Sequence, residues 1–341
     1  MSHQYASQQA PGYHNYIRNV AVVGASGQQG SHIVRELLET GKHSVTAITR
    51  QDSSATDFAA SVKVAEVDYV NTDTIVSALK GHDALIITMN TRAPRDTSAK
   101  LVEAAAKAGV SWVLPNEWGI DTDNIDYGND TFLGPPAIAV RQLIEKLGVS
   151  SWIAVACGHW YEYSLGGMEE MYGFDFQKKS VTFFDDGSQK INTSTWEQTG
   201  RAVAALMKMK VLPQDANDTT PSLGKNFRNK FAFVSSFNVS QKDMFESVKR
   251  VTGESEKDWK IKYESSKDRV EHGLKMMNEG NRIGYLKRMY SRGFYPNNDG
   301  DFEAVHGLAN GILGLPQEDL DECTKRAIQR SNEAAESKEK K

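Results

Sequence analysis

Cysteine is nearly missing from this chain. There are two in 341 residues, Cys157 and Cys323, far apart and in no C-x-x-C pair. That excludes a disulfide framework and a paired-cysteine zinc site. The expectation is two reduced thiols in an intracellular protein. Long apolar runs are missing too: no stretch approaches the ~18 residues of a membrane span. The polar start, MSHQYASQQAPGYHNY, lacks the apolar core of a secretory signal. Charge of one sign is also absent. The chain has 40 basic and 44 acidic residues, net −4, and its one basic cluster is the KEKK end. Nucleic-acid binding through charge is therefore excluded. The histidines are scattered without an H-E-x-x-H spacing, so no metal site is expected. A cytoplasmic, soluble protein is the reading, with 39% hydrophobic and 25% charged residues as in ordinary globular chains.

What is present is a regular alternation. Short runs rich in Val and Ile occur at 20–24, 44–49, 62–67, 84–88, 112–115 and 152–156. They read as strands covered on both faces. Helical patterns separate them at Gly30–Thr40, Thr72–Lys80, Thr97–Ala108 and Pro136–Leu147. Strands alternating with helices predict right-handed crossovers and a doubly wound parallel sheet, an α/β fold. After about Gly158 the regularity is lost. VTFFDDG reads as a strand and turn, STWEQTGRAVAALMKM as a helix, and KFAFVSSFNVS as a strand running into a helix start at Ser240, where Asp243 completes a capping-box pattern. The expected organisation is a disordered leader over 1–17, a dinucleotide-binding domain over 18–157, a smaller mixed α/β substrate lobe intertwined with it over 158–325, and a charged tail over 326–341.

The stretch VAVVGASGQQGSHIVRELL joins the first strand to the first helix through Gly24, Gly27 and Gly30. A pyrophosphate needs bare backbone N–H groups at a helix N-terminus, where the dipole also favours negative charge. Gly24 suits the tight turn, Gly27 the approach of backbone to phosphate, and Gly30 the packing of helix on strand. Ser26, Gln28 and Gln29 complete the loop as cofactor-binding positions. The strand–turn–helix context makes the glycine triplet a Rossmann-type dinucleotide signature. The second strand ends in TAITRQDSS, which places Arg50 twenty residues beyond Gly30 with no acid at the tip. Arginine there suits a ribose 2′-phosphate, with Ser53 as an added donor, so the expected cofactor is NADP(H). Asp68, after the third strand, either faces the adenine or caps the next helix.

VVGASGQQG, the Arg50 turn, LPNEWGID (114–121), KINTSTWEQTGRAV (190–203) and SSWIAVACGHWYEYS (150–164) together resemble the isoflavone-reductase-like and NmrA-like atypical short-chain dehydrogenases, the last stretch particularly the fungal CipA-type branch. The resemblance spans about Arg18 to Leu320. It implies that Met89, Asn90, Pro115, Asn116 and Glu117 line the nicotinamide, with Trp118 keeping an aromatic wall where the family has phenylalanine. It also implies a proton-handling lysine four residues before the arginine of VRQLIE, and that position is Ala137 here. The plant-type acid–base arrangement is therefore missing. Tyr263 and Lys267 match Tyr-x-x-x-Lys, but lie far from the helix where that pair belongs.

His159 and Tyr163, in CGHWYEYS, are the candidate proton donors, because histidine titrates nearest neutrality and a tyrosine can be tuned by its surroundings. Trp160 and Tyr161 join Trp118 as candidate substrate contacts. The expected function is reduction by NADPH of a small aromatic or polyketide-like secondary metabolite. The alternatives are an NADP(H)-sensing regulator without turnover, in the cytoplasm or nucleus with a protein partner or as a homodimer, and a non-redox isomerase or cyclase on the same fold.

Overall fold

The computed structural model describes residues 5–52, 58–90 and 92–339. Strand β1 (Asn19–Val23) leads through the glycine loop into helix α1 (Gln28–Glu39), followed by β2 (Ser44–Arg50), β3 (Lys63–Val67), α2 (Thr72–Leu79), β4 (Ala84–Ile87), α3 (Thr97–Ala108) and β5 (Trp112–Leu114). The short β6 (Trp118–Gly119) precedes α4 (Ile125–Thr131), α5 (Gly134–Leu147) and β7 (Ser151–Ala156). Next come β8 (His159–Trp160), α6 (Tyr161–Leu165), β9 (Phe174–Asp175), β10 (Ser180–Phe184), β11 (Lys190–Ser194), α7 (Trp196–Lys208) and α8 (Leu223–Asn226). The last third holds β12 (Lys230–Phe233), β13 (Phe237–Ser240), α9 (Gln241–Thr252), β14 (Lys260–Glu264), α10 (Ser266–Asn278), α11 (Ile283–Gly293), α12 (Phe302–His306), α13 (Asn310–Leu313) and α14 (Leu320–Glu339).

The central sheet has the order β12-β7-β5-β4-β1-β2-β3, with β6 beside β7, and every pairing in it is parallel. The alternation of side chains along its strands covers both faces. Val20 and Val22 of β1 face Ile33 and Leu37 of α1 and Val203 and Leu206 of α7, in one core. Ala21 and Val23 face the other way, into a core with Ile75 and Leu79 of α2, Leu101 and Ala105 of α3 and Ile144 of α5. This is the doubly wound Rossmann arrangement expected from the sequence.

The second lobe has its own aromatic core, including Tyr161, Tyr172, Phe174, Phe184, Phe245 and Phe294. It is laid over two small sheets, β14-β10-β9 and β13-β11-β8. The chain returns from it to add β12 to the edge of the main sheet, pairing Phe231 with Ala154 and Phe233 with Ala156. Ser240 caps α9 with a reciprocal pair of bonds: its backbone N–H donates to Asp243 Oδ2 at 2.9 Å, and the Asp243 N–H donates to Ser240 Oγ at 3.1 Å.

Two boundaries are corrected. The described part of the 1–17 leader is docked: Asn15 exchanges bonds with Leu212 in both directions at 2.8 Å, Tyr16 bridges Lys210, and Ile17 is buried. The charged tail does not begin at 326, because α14 runs unbroken from Leu320 to Glu339 and buries Cys323, Thr324, Ala327 and Ser331. Its apolar positions are too sparse for a helical period to stand out among the charges, so the sequence reads as tail.

Candidate functional site

The strand order reverses direction between β1 and β4, and in open parallel sheets ligands sit in the crevice at that point. Thr88, just beyond β4, pins it. Its N–H donates to Val23 O at 2.9 Å, and its hydroxyl donates to Val23 O at 2.8 Å and Gly24 O at 3.2 Å. Gly24 has φ +76°, and a Cβ there would lie 2.2 Å from Thr88 O. A Cβ on Gly30 would lie 2.1 Å from Gly24 O. No side chain fits at either position. Gly27 is the extended N-cap of α1, and no side chain caps this end, nor is there an acid in its first turn. The leading N–H groups of the helix therefore face outward as an anion cradle. Ser26 and Gln28 are exposed on its rim, whereas Gln29 is buried with neither amide atom hydrogen-bonded. A bare glycine cradle beside an unpaired buried amide fits a dinucleotide phosphate.

Around the cradle, Arg50 stands at the tip of β2 with its side chain two-thirds exposed, 3.6 Å from Asp52. Ser53 lies outside the described residues. Asp68 is turned into its own loop, accepting from Val70 N–H at 2.8 Å, while Asn71 caps α2. On the other side, Asn116 clasps the β4 exit: the Met89 N–H donates to Asn116 Oδ1 at 2.9 Å, and Asn116 Nδ2 donates to Met89 O at 3.3 Å. Asn90 is exposed beside it, its Oδ1 taking the Arg92 N–H at 2.8 Å. Pro115 is buried at the end of β5. Trp118 donates its indole N–H to Ile87 O at 2.7 Å, tying the β6 segment to β4.

Several candidate residues serve other ends. Glu117 does not face the crevice. It is buried, hydrogen-bonded by Thr122 and 3.5 Å from Arg141, whose guanidinium also meets Asp123 at 2.8 Å and stacks on Phe231 and Trp152. Burial raises its carboxyl above the usual range despite the arginine. Tyr161 is fully buried with its hydroxyl 2.7 Å from Thr324, so it is a core residue and not a substrate contact.

His159 is corrected as a proton donor. Its ring packs 4.3 Å from Tyr290 and 6.0 Å from Tyr172, its Nε2 is enclosed without a partner, and desolvation pushes its pKa down to about 4. A neutral imidazole has no acidic proton to give near pH 7. It lines a crevice of about 10 Å³ with Ile120, Tyr127, Gly158 and Phe302, room for no more than a water. Tyr163 is half-buried under Arg330 of α14, 5.1 Å above its ring, and packs on Trp196. Trp160 packs on the same Trp196, ring centres 6.2 Å apart. Ala137, half-buried in the first turn of α5 beside Pro135 and Pro136, brings no proton. Tyr263 is exposed on β14, remote from the crevice.

Thr88 gives no signal in the sequence, because a lone threonine after a strand carries no pattern. His32 and Trp196 are equally silent there. Both face the second lobe only because α1 and α7 pack together.

Residues 24–147 match the family model described as NAD(P)H-binding. Over 310 residues the chain is 28% identical to the oxidoreductase aprR of Aspergillus flavus, covering 89% of this chain and 96% of that protein. Over 150 residues it is 31% identical to the isoflavone reductase homolog IRL of Zea mays, covering 40% of this chain and 47% of that one. Crystal structures of pinoresinol-lariciresinol and phenylcoumaran benzylic ether reductases superpose with a TM-score of 0.74 at 18% identity, covering 92% of this chain and all of theirs. That likeness establishes the fold.

Proposed function

We propose that this chain, a homologue of isoflavone-reductase-like and NmrA-like oxidoreductases with an NAD(P)H-binding domain over residues 24–147, is an NADPH-dependent reductase of a small aromatic or polyketide-like molecule. The observation that carries the reading is the cradle at the β1–β4 crevice: two glycines with no room for a Cβ, an uncapped helix start, and the unpaired amide of Gln29. Arg50 supports the choice of NADPH. It is the cation at the tip of β2, largely exposed, and its acidic neighbour among the described residues, Asp52, is itself exposed. A guanidinium so placed matches a 2′-phosphate in charge and geometry.

When bound, NADPH would supply the hydride. The backbone of the Gly24–Gly30 turn would hold the pyrophosphate, Arg50 the 2′-phosphate, and Met89 with Asn116 the nicotinamide side. With alanine at position 137 and a neutral His159, the proton comes from water or from the phenol of Tyr163. The test is turnover of NADPH deuterated at nicotinamide C4 with a panel of aromatic ketones, quinones and polyketide enones. Deuterium in a product supports reduction. Tight NADPH binding with no consumption by any of these classes overturns it and favours a cofactor-sensing regulator.

A further inference from the structure

Helix α4, the first turn of α10 and the turn after α11 enclose an open cleft of about 430 Å³. Its lining includes Asp126, Asn129 and Asp130 from α4, Lys267 from α10, and Arg292 and Tyr295 from the end of α11 and the turn beyond it. The volume falls within the range of small-molecule sites, about 300–1,000 Å³. Arg292 is the buried member of the set, its side chain 3% exposed. Its Nε–H donates to Asp130 Oδ2 at 2.5 Å, and its Nη2 lies 2.6 Å from Asp299 Oδ2. Its Nη1 is buried and has no partner. The guanidinium carbon lies 5.1 Å from the centre of the Tyr127 ring and 4.5 Å from that of Tyr295. Those rings attract the cation but bring no oxygen acceptor to Nη1.

Buried side-chain donors in folded proteins are nearly always paired, and an unmet one on a charged group is costly. The acids nearest Arg292 are already engaged, since Asp130 also takes Arg288 and Asp299 also takes the Asn124 amide. Asp126 and Lys267 are different. Both are exposed, and among the described residues neither side chain has an ion-pair or hydrogen-bond partner. One cleft therefore holds a free carboxylate, a free ammonium and an unpaired guanidinium N–H group. We propose that it binds a small amino-acid zwitterion, whose carboxylate is taken by Lys267 and Arg292 Nη1 and whose ammonium is taken by Asp126. Lysine and arginine are donors only and call for an anionic acceptor, whereas an ionised aspartate only accepts and calls for a cationic donor. A simple carboxylic acid would leave Asp126 facing a like charge, and a simple amine would do the same to Lys267. Asp126, Asp130, Lys267 and Arg292 sum to no net charge, which also suits a ligand that is neutral overall. Tyr295 is half-buried and Tyr127 fully buried, so Tyr295 is the ring that yields as the ligand carboxylate reaches Nη1.

This site goes beyond the reductase reading and does not depend on it, because none of these lining residues belongs to the cofactor crevice. The experiment titrates the full chain by calorimetry at low ionic strength, where exposed charges are least screened. The probes are L-alanine and 4-aminobutyrate, two zwitterions whose charged ends differ in separation, with propionate and ethylamine as singly charged controls. One of the zwitterions is expected to bind on the order of tenfold tighter than either control, the worth of a further charge-assisted hydrogen bond. Two variants at exposed positions dissect the site without disturbing the Arg292 network. Asp126→Asn should weaken the zwitterion while strengthening propionate, which no longer meets a like charge. Lys267→Met should weaken the zwitterion and propionate alike, on the order of tenfold, and should not weaken ethylamine. A merely structural role for either residue would not move the probes in opposite directions. No binding of either zwitterion, zwitterions no tighter than the controls, or affinities unchanged in both variants would overturn the proposal.

Discussion

Acid should destabilise this protein through His159 in a way that one substitution removes. The imidazole is held neutral between Tyr290 and Tyr172, with its pKa pushed from 6.5 down to about 4 by desolvation. Between those two values the unfolded chain binds a proton that the native state refuses, so stability rises with pH across this window and falls as pH drops. A tenfold difference in proton affinity between the two states is worth about 1.4 kcal/mol. From pH 7.5 to pH 5 the window is only partly crossed, and the loss from this one group is about 2 kcal/mol. His32, His43 and His82 are also shifted down by burial and add to the same slope. The measurement is therefore a difference. Urea unfolding of the wild type and His159→Phe is compared at pH 7.5 and pH 5, phenylalanine keeping the ring between its two tyrosines. The wild type should lose about 2 kcal/mol more than the variant on acidification. Parallel losses would refute the account, because they would mean the native imidazole accepts its proton freely.

Three other outcomes follow from the packing. Gly30→Ala should cost about 1–3 kcal/mol of stability and weaken NADPH binding, because its Cβ would meet Gly24 O at 2.1 Å; thermal melts with a cofactor titration check this. Arg141→Met should lower stability by about 3 kcal/mol by leaving Glu117 buried without its cation, yet leave NADPH affinity per folded molecule unchanged, as read by urea melts and calorimetry. Truncation after Asp319 removes α14 and uncovers Tyr161 and Leu165, so the shortened chain should melt well below the full chain and be cut quickly by protease, which circular dichroism and limited proteolysis would show.

The first half of the fold is legible in the sequence because its signals are local and repeat. Val and Ile runs bounded by turns fix β1 to β5, and the helical pattern over Thr97–Ala108 has the bounds observed for α3. The glycine spacing locates the β1–α1 turn. The second half is less legible because its strands are short and pair with distant segments, as β12 does with β7 across 77 positions between Lys230 and Ile153. Side-chain roles are the least legible. Glu117 and His159 sit on segments next to the crevice, but their orientation depends on Arg141 and on Tyr290, which arrive from α5 and α11. A sequence pattern places a residue on an element. It does not say which neighbour its side chain will meet.

The most direct test of the central claim is a calorimetric titration of NADPH, NADP⁺, NADH and NAD⁺ into the wild type and Arg50→Ala. The account predicts that the wild type prefers the phosphorylated pair and that Arg50→Ala loses the preference, weakening NADPH by on the order of tenfold to a hundredfold with NADH little changed. Equal binding of all four by the wild type, or a preference that survives the loss of Arg50, would contradict it.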